Sequence, residues 1–265
     1  MKVIHTRLLL DLVLLAVISS ASAQNMLDSI DLDSPDMTEA EISRADVAKR
    51  VADAHGGKPA DFTSMRLSGL DLSGIDFAGA VLRDARLNHT DLRNANLEGA
   101  ILDQAWLLDA DLSGANLRGA SLFQAQLIGA KLDKADLSHT RAPANFSRTS
   151  MRGAKLEGAH LGADMRNQSM GLIHGVLRNA DLEGANLSNT DLNRVDFAFA
   201  SLRAANLSGA DLQRADLSGA DLTNADVSNA DFEKADVHSA KLRGLIGAGD
   251  ANLEQAINLT DAFRD

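Results

Sequence analysis

The chain contains no cysteine. That excludes a disulfide framework and a lipid-bearing cysteine, so the fold must rest on packing alone. The longest apolar run, Leu8 to Ile18, is shorter than the roughly 20 residues a membrane-spanning helix requires. A phosphate-cradling glycine loop with Lys and Ser or Thr is absent, as is a strand-to-helix nucleophile elbow. The histidines, His5, His55, His89, His139, His160, His174 and His238, are scattered, and no pair has the spacing of a helical metal site. Carboxylates are so numerous that any chosen catalytic pair carries no information. The sequence therefore nominates no catalytic, cofactor-binding or metal-ligating residue.

What the chain does have is a period. Counting in fives from Phe62 to Leu137, every position is Leu or Phe, and from Leu172 to Leu242 the same step lands only on Leu, Phe or Val. The position two before each is usually Ala, and the position between is usually Asp or Asn, as in Ala180-Asp181-Leu182-Glu183-Gly184 and Ala210-Asp211-Leu212-Gln213-Arg214. A step of five keeps one face of neither a helix nor a strand buried. It suits a chain that turns a corner every pentad, placing one large apolar group and one methyl inside and turn-forming residues such as Ser-Gly or Asn-Asn outside. The expectation is an all-β solenoid whose coils stack as parallel rungs, each burying its inner face only against its neighbours. A rod filled by Leu and Ala leaves no cavity for a substrate, so enzymatic activity is not expected.

These residues resemble the pentapeptide-repeat family, whose motif is written A(D/N)Lxx. The resemblance covers residues 60–242 and implies a right-handed quadrilateral parallel β-helix with four pentads, or twenty residues, per coil. On that geometry the chain would hold about nine coils, roughly 40 Å long at the usual strand spacing. The middle, 138–171, is irregular. Leu137 to Phe146 is one residue short of two pentads, Phe146, Met151, Leu156 and Leu161 run in a shifted frame, and Leu161 to Leu172 is one residue long. The two offsets cancel, so the coil is expected to continue with local distortions at Arg141-Ala142-Pro143 and at Asp164 to Gly171.

The flanks suggest where the rod works. Residues 1–23 carry Lys2 and Arg7, the apolar run, and Ser20-Ala21-Ser22-Ala23 before Gln24, the pattern of a secretory signal cleaved after Ala23, although Asp11 interrupts the run. The expected location is periplasmic or secreted, with no stable membrane span after cleavage. Residues 24–59 form a non-repeating segment. Asp31 to Asp36 is not a calcium loop, because Pro35 and Asp36 stand where a ligand and a glycine belong. Thr38 and Glu41 read as a capping box, with Met37 stapled onto Ile42, for a helix from Glu39 to His55 that covers the first coil. Residues 243–265 read as a second helical cap, begun at Asp250 and carrying Leu253, Ala256 and Ile257.

The twenty-residue coil sorts outward residues into columns. Leu108 and Ile128 stack on one face, Trp106 and Gln126 form the neighbouring column, and Phe123 lies one face round. Trp106, Leu108, Phe123 and Ile128 are thus a candidate protein-interaction patch. The alternative is that residues 140–145 fold back over it. Arg194, Arg214 and Lys234 stack beside Asp196, Asp216 and Asp236, and Asn96, Asp111, Asn116, Asp181 and Asp211 are placed to hydrogen-bond corner backbone. The net charge of −11 disfavours nucleic acid and anionic lipid; it could serve a basic partner or simply solubility.

The function expected is that of an exported, non-enzymatic interaction scaffold or binding module in the bacterial envelope, with no cofactor, an unspecified protein partner, and a homodimer allowed. Resemblance to the fluoroquinolone-resistance branch of the family implies a different role, an acidic DNA mimic that binds a type II topoisomerase, which the leader argues against. An uncharacterised hydrolase is the remaining class, kept because absence of a motif is not absence of activity.

Overall fold

The computed structural model describes residues 31–54, 58–163 and 173–264; the leader lies outside them. The chain divides into two compact units, Met1–Thr38 and Glu39–Asp265. In the first, Asp31 Oδ1 accepts the Asp33 amide (3.1 Å) and the Ser34 hydroxyl donates to the Asp31 carbonyl (2.7 Å), closing a turn onto the short helix α1, Pro35–Thr38. Proline suits that first position because its missing N–H would have no helical partner.

In the second unit the chain lies beside itself at intervals of twenty residues. Parallel bridges join Asp71 to Asp91, Asp91 to Asp111, and Asp111 to Lys131, and the same interval recurs on three other faces, as at Asp61–Val81, Arg66–Arg86 and Asp76–Asn96. Four pentads therefore complete each circuit, the arrangement of a β-helix. The pentad Asp91 to Ala95 shows why five residues are the unit, because each of its amides has a distinct partner. Asp91 donates to Leu70 one coil before (2.9 Å), while Leu92 and Asn94 donate to Asp111 and Ser113 one coil after (2.7 and 3.1 Å). Ala95 closes the corner onto the Leu92 carbonyl (3.0 Å). The Arg93 amide, which no backbone reaches, donates to Asp91 Oδ1 (3.0 Å). This satisfies the rule that buried or semi-buried amides find partners.

The fourth residue of the regular pentads has positive φ, as Gly74 (67°) and Asn94 (56°) do. That left-handed geometry is the reason for Gly and Asn at the corner. Inside, Leu92, Leu97 and Leu102 and the flanking Ala95, Ala100 and Ala105 are wholly or almost wholly buried. Where Thr replaces the Ala, its hydroxyl finds a carbonyl: Thr140 on Leu137 and Thr190 on Leu156, both 2.8 Å.

The irregular middle differs from expectation. At Arg141 to Ala144 the corner is one residue short, so Gln126 bridges Asn145 at an interval of nineteen, and Ala142 takes the buried place beside Pro143. The second distortion is not a single added residue. Asn145 bridges Val176, Ser150 bridges Asp181 and His160 bridges Asp191, each thirty-one residues on. The offsets therefore do not cancel: eleven residues are inserted, and the buried ladder resumes after Leu161 at Leu177. Leu172 lies outside the described residues. The neck of the insertion is held by the Gly175 amide on the Leu161 carbonyl (2.7 Å).

Both expected terminal helices need correction. The helix before the first coil is α2, Arg44–Ala52, and its capping box is Ser43 with Asp46. Thr38 cannot begin it because Thr38 ends α1, donating its hydroxyl to Ser34 (3.0 Å). Val47 is fully buried, and Ile42, Val51 and Ala54 pack with it on the apolar core. Arg44 reaches the carbonyls of Asp71 and Ser73, and Arg50 that of Asp61. His55 lies outside the described residues. At the other end no α-helix forms. Two 3-10 turns, Leu253–Gln255 and Leu259–Asp261, alternate with bridges from Asp236 to Ile257 and from Lys241 to Phe263, extending the stack instead. Gly247 (φ 69°) and Asn258 (φ 59°) take left-handed conformations, and Ala256 is extended, each incompatible with a continuous helix.

Candidate interaction surface

The four patch residues, Trp106, Leu108, Phe123 and Ile128, are not freely exposed. Trp106 occupies a bridge position between Arg86 and Gln126 and is half-buried, as are Phe123 and Ile128. Leu108 is buried at 9% exposure, its amide held by Asn88 Oδ1 (3.0 Å) and its carbonyl by the His89 amide (2.8 Å). The Arg141 guanidinium lies 4.2 Å from the centre of the Phe123 ring, a cation–π contact. The covering thus comes from one side chain of the shortened corner. Outward residues in a stacked coil are flanked by the coils above and below, so a residue's column fixes its direction and not its exposure.

Among the described residues the large apolar groups that do stand out are Leu32 before the repeats, Phe199, at 63% exposure, and Ile246, Ile257 and Phe263 on the last coil. Phe199 holds a left-handed corner (φ 61°), and its ring covers Gly219 one coil on, so closely that a Cβ there would meet it at 2.6 Å. The three on the last coil are hidden in the sequence, because Ile257 also fits an amphipathic helical stripe and the pentad count stops at Leu242.

The acidic columns have a structural use. Asn96, Asp111, Asn116, Asp181 and Asp211 each accept the amide two residues on, as expected, and so do Asp216, Asp226, Asp231 and Asp236. Such bonds depress a carboxylate pKa. For Asp221, burial raises the pKa, but bonds from the Thr223 hydroxyl and amide and from Lys241 outweigh it and hold the group at about 2. Asp211 goes the other way: burial pushes it up, and Asp191 and Asp231, next above and below in its column, add to the rise. Arg178 pairs with Asp196 (2.5 Å), and Arg152 with Asp181 and Glu183 (both 2.7 Å), so cations interleave the acids.

Among the described residues no group of three His, Asp or Glu side chains could hold a metal ion, and no helix is long and apolar enough to cross a membrane. A groove of about 570 Å³ lies between α2 and the first coil, lined by Lys49, Arg50, Lys58 and Asp53 among others, and one of about 410 Å³ lies at the last coil.

A stack of pentads with Asp or Asn at the bridge, Leu at the centre and a left-handed corner defines a class, and comparison gives the same class. The pentapeptide-repeat profile matches in eight copies, over residues 60–104, 107–141, 176–209 and 210–244. The chain belongs to the pentapeptide-repeat family. The unmatched stretch between 141 and 176 coincides with the short corner and the insertion.

Among solved structures, the chain is similar to HetL, a pentapeptide repeat protein involved in heterocyst differentiation regulation from the cyanobacterium Nostoc sp. strain PCC 7120. Identity is 30%, covering 82% of this chain and 97% of HetL, with a TM-score of 0.50. Rfr23 from the cyanobacterium Cyanothece 51142 is 29% identical over 46% of this chain and 85% of its own, with a TM-score of 0.34. A trypsin-treated form of QnrB1, a plasmid-mediated fluoroquinolone resistance protein, is 20% identical over 77% of this chain and 92% of its own, with a TM-score of 0.38. Comparison with curated proteins gives no match.

Proposed function

We propose that this is an exported, non-enzymatic scaffold or binding module of the bacterial envelope, a right-handed quadrilateral β-helix of about nine coils with α2 as its N-terminal cap. The observation that carries the non-catalytic part is the interior: Leu and Ala fill it coil after coil at 0 to 1% exposure from Leu82 to Leu137. Chemistry needs a concave site with convergent polar groups, and such packing provides none. The described role of HetL in regulation is compatible with a protein that acts by contact. Export rests on the leader alone.

The acidity is accounted for by corner chemistry, since the carboxylates serve as backbone acceptors and are interleaved with Arg and Lys. A DNA-mimic role is therefore not needed to explain it. The patch at Trp106, Phe123 and Ile128, with Leu108 beneath, is a contact proposed for the protein partner, with Arg141 at its edge. The test pairs subcellular fractionation with a supercoiling assay. The scaffold reading expects the protein in the exported fraction and no inhibition of a type II topoisomerase at stoichiometric protein. Cytoplasmic retention together with inhibition would overturn it in favour of the DNA mimic.

A further inference from the structure

We infer that one side of the stack binds a second copy of this chain, the two rods lying face to face and antiparallel. The face is the one that carries Trp106. Its bridge column, formed by the residue before each buried centre, runs coil by coil through Arg66, Arg86, Trp106, Gln126, Asn145, Val176, Asp196 and Asp216. All eight are half-buried, so each presents part of its side chain outward. From its middle the column is its own complement: an amide on either side, an apolar residue beyond each, then two cations at one end and two acids at the other.

A two-fold axis that crosses the face between the coils of Gln126 and Asn145 lays this column against its own reverse. Gln126 then meets Asn145 of the second copy, Trp106 meets Val176, Arg86 meets Asp196 and Arg66 meets Asp216, and each contact occurs twice. Coils repeat at the same spacing in both copies, so the register holds along the column. The other three faces fail the same test. At the outermost position they would set Asp61 against Asp211, Asp71 against Asp221 and Asp76 against Asp226, acid against acid.

The columns beside the bridge agree with this register. At one edge of the face, corner Asp84 stands opposite Arg194 of the second copy. Neither of them, nor Arg86, forms an ion pair within its own chain among the described residues. At the other edge is exposed Phe199, whose ring leans over Gly219. The residue opposite Gly219 is Gly69, so the ring meets a corner without a side chain. A left-handed conformation is unfavourable for Phe, and burial against a second copy gives that residue a use. Trp106 and Ile128 belong to the contact proposed above, so the pairing rests on that reading and gives its partner as the chain itself.

Light scattering on the full mature chain, with no other protein present, should give twice the chain mass. Asp84→Arg sets Arg against Arg194, and Arg194→Asp sets Asp against Asp84, so either alone should raise the dissociation constant by at least about tenfold. Corners elsewhere in the stack hold both residue types, as at Asp109 and Arg148, so both variants should keep the wild-type far-ultraviolet spectrum. An equimolar mixture of the two should recover a one-to-one heterodimer, because every pair is then opposite in sign. Since the chain has no cysteine, Ser147→Cys, beside the axis, reports the face: a short bis-maleimide should link it into a dimer, whereas Ser208→Cys, on the opposite face, should stay single. The cross-link decides the matter should a charge variant fail to fold. A monomeric wild type, variants that pair as tightly as wild type, a mixture that recovers nothing, or linking through Ser208→Cys in place of Ser147→Cys would overturn the pairing. Scattering is blind to compartment and to other partners, so a monomeric wild type leaves the scaffold reading standing, and fractionation decides that separately.

Discussion

The Gly175 amide donates to the Leu161 carbonyl at 2.7 Å, so the chain that leaves the stack after Leu161 is back in it by Gly175. A Cβ on Gly175 would approach that carbonyl to 3.0 Å and the Leu161 Cβ to 3.2 Å. Gly175→Val should therefore push the strands of the neck apart and cost about 1–3 kcal/mol, read as a lower melting temperature. An unchanged transition would show that the neck does not hold the insertion.

The corner bond predicts a difference between two substitutions at one site. Asp226 Oδ1 accepts the Ser228 amide at 3.0 Å. Asn keeps that acceptor and Ala removes it, so Asp226→Ala should lose about 1 kcal/mol and Asp226→Asn should lose much less. Equal losses would show that the carboxylate charge, rather than the corner bond, is what matters.

Asp211 predicts a gain. Its pKa is raised by burial and by Asp191 and Asp231, so ionisation at neutral pH disfavours the folded state. Asp211→Asn keeps the acceptor for the Gln213 amide (3.0 Å) and removes the repulsion, and should stabilise by roughly 0.2–1 kcal/mol. A lower melting temperature at pH 7 would contradict this.

Acid should act in the opposite sense on Asp221. Its folded pKa, about 2, lies below the ordinary 3.8. The stability it contributes is complete above about pH 4 and is lost as pH falls toward 2, on the order of 1–2 kcal/mol after allowing for partial exposure. Thermal melts of wild type and Asp221→Asn should differ at pH 6 and converge near pH 2. A constant difference across that range would exclude the assignment.

The patch residues should now separate. Leu108 is 9% exposed, so Leu108→Ser should lower stability by about 1–3 kcal/mol. Trp106→Ser, at a half-buried outward position, should lower it less and act mainly on partner binding. Equal stability losses would place Trp106 inside the packing.

The repeat was legible because its period survives every substitution: Leu182, Asp181 and Ala180 can be assigned from the sequence alone to the buried centre, the bridge and the buried methyl two before the centre, and Asp196, Asp216 and Asp236 do lie in one bridged column. The insertion was not, because Leu172 falls five residues before Leu177 and so mimics a pentad. Only the pairing of Asn145 with Val176 shows that the stack passes it by. Exposure was also hidden, since the sequence says which way a side chain points but not how far its neighbours on adjacent coils cover it. Arg141 over Phe123 is such a case. At the C-terminus, Leu253, Ala256 and Ile257 fit a helical stripe as well as a last coil, and the left-handed Asn258 decides between them.

Whether this repeat protein works outside the cytoplasm, as proposed, is read from mass spectrometry of the N-terminal peptide of the native protein, taken from separated compartments. A mature chain beginning at Gln24 is expected in the periplasmic or secreted fraction. An intact Met1 in the cytoplasm would contradict it.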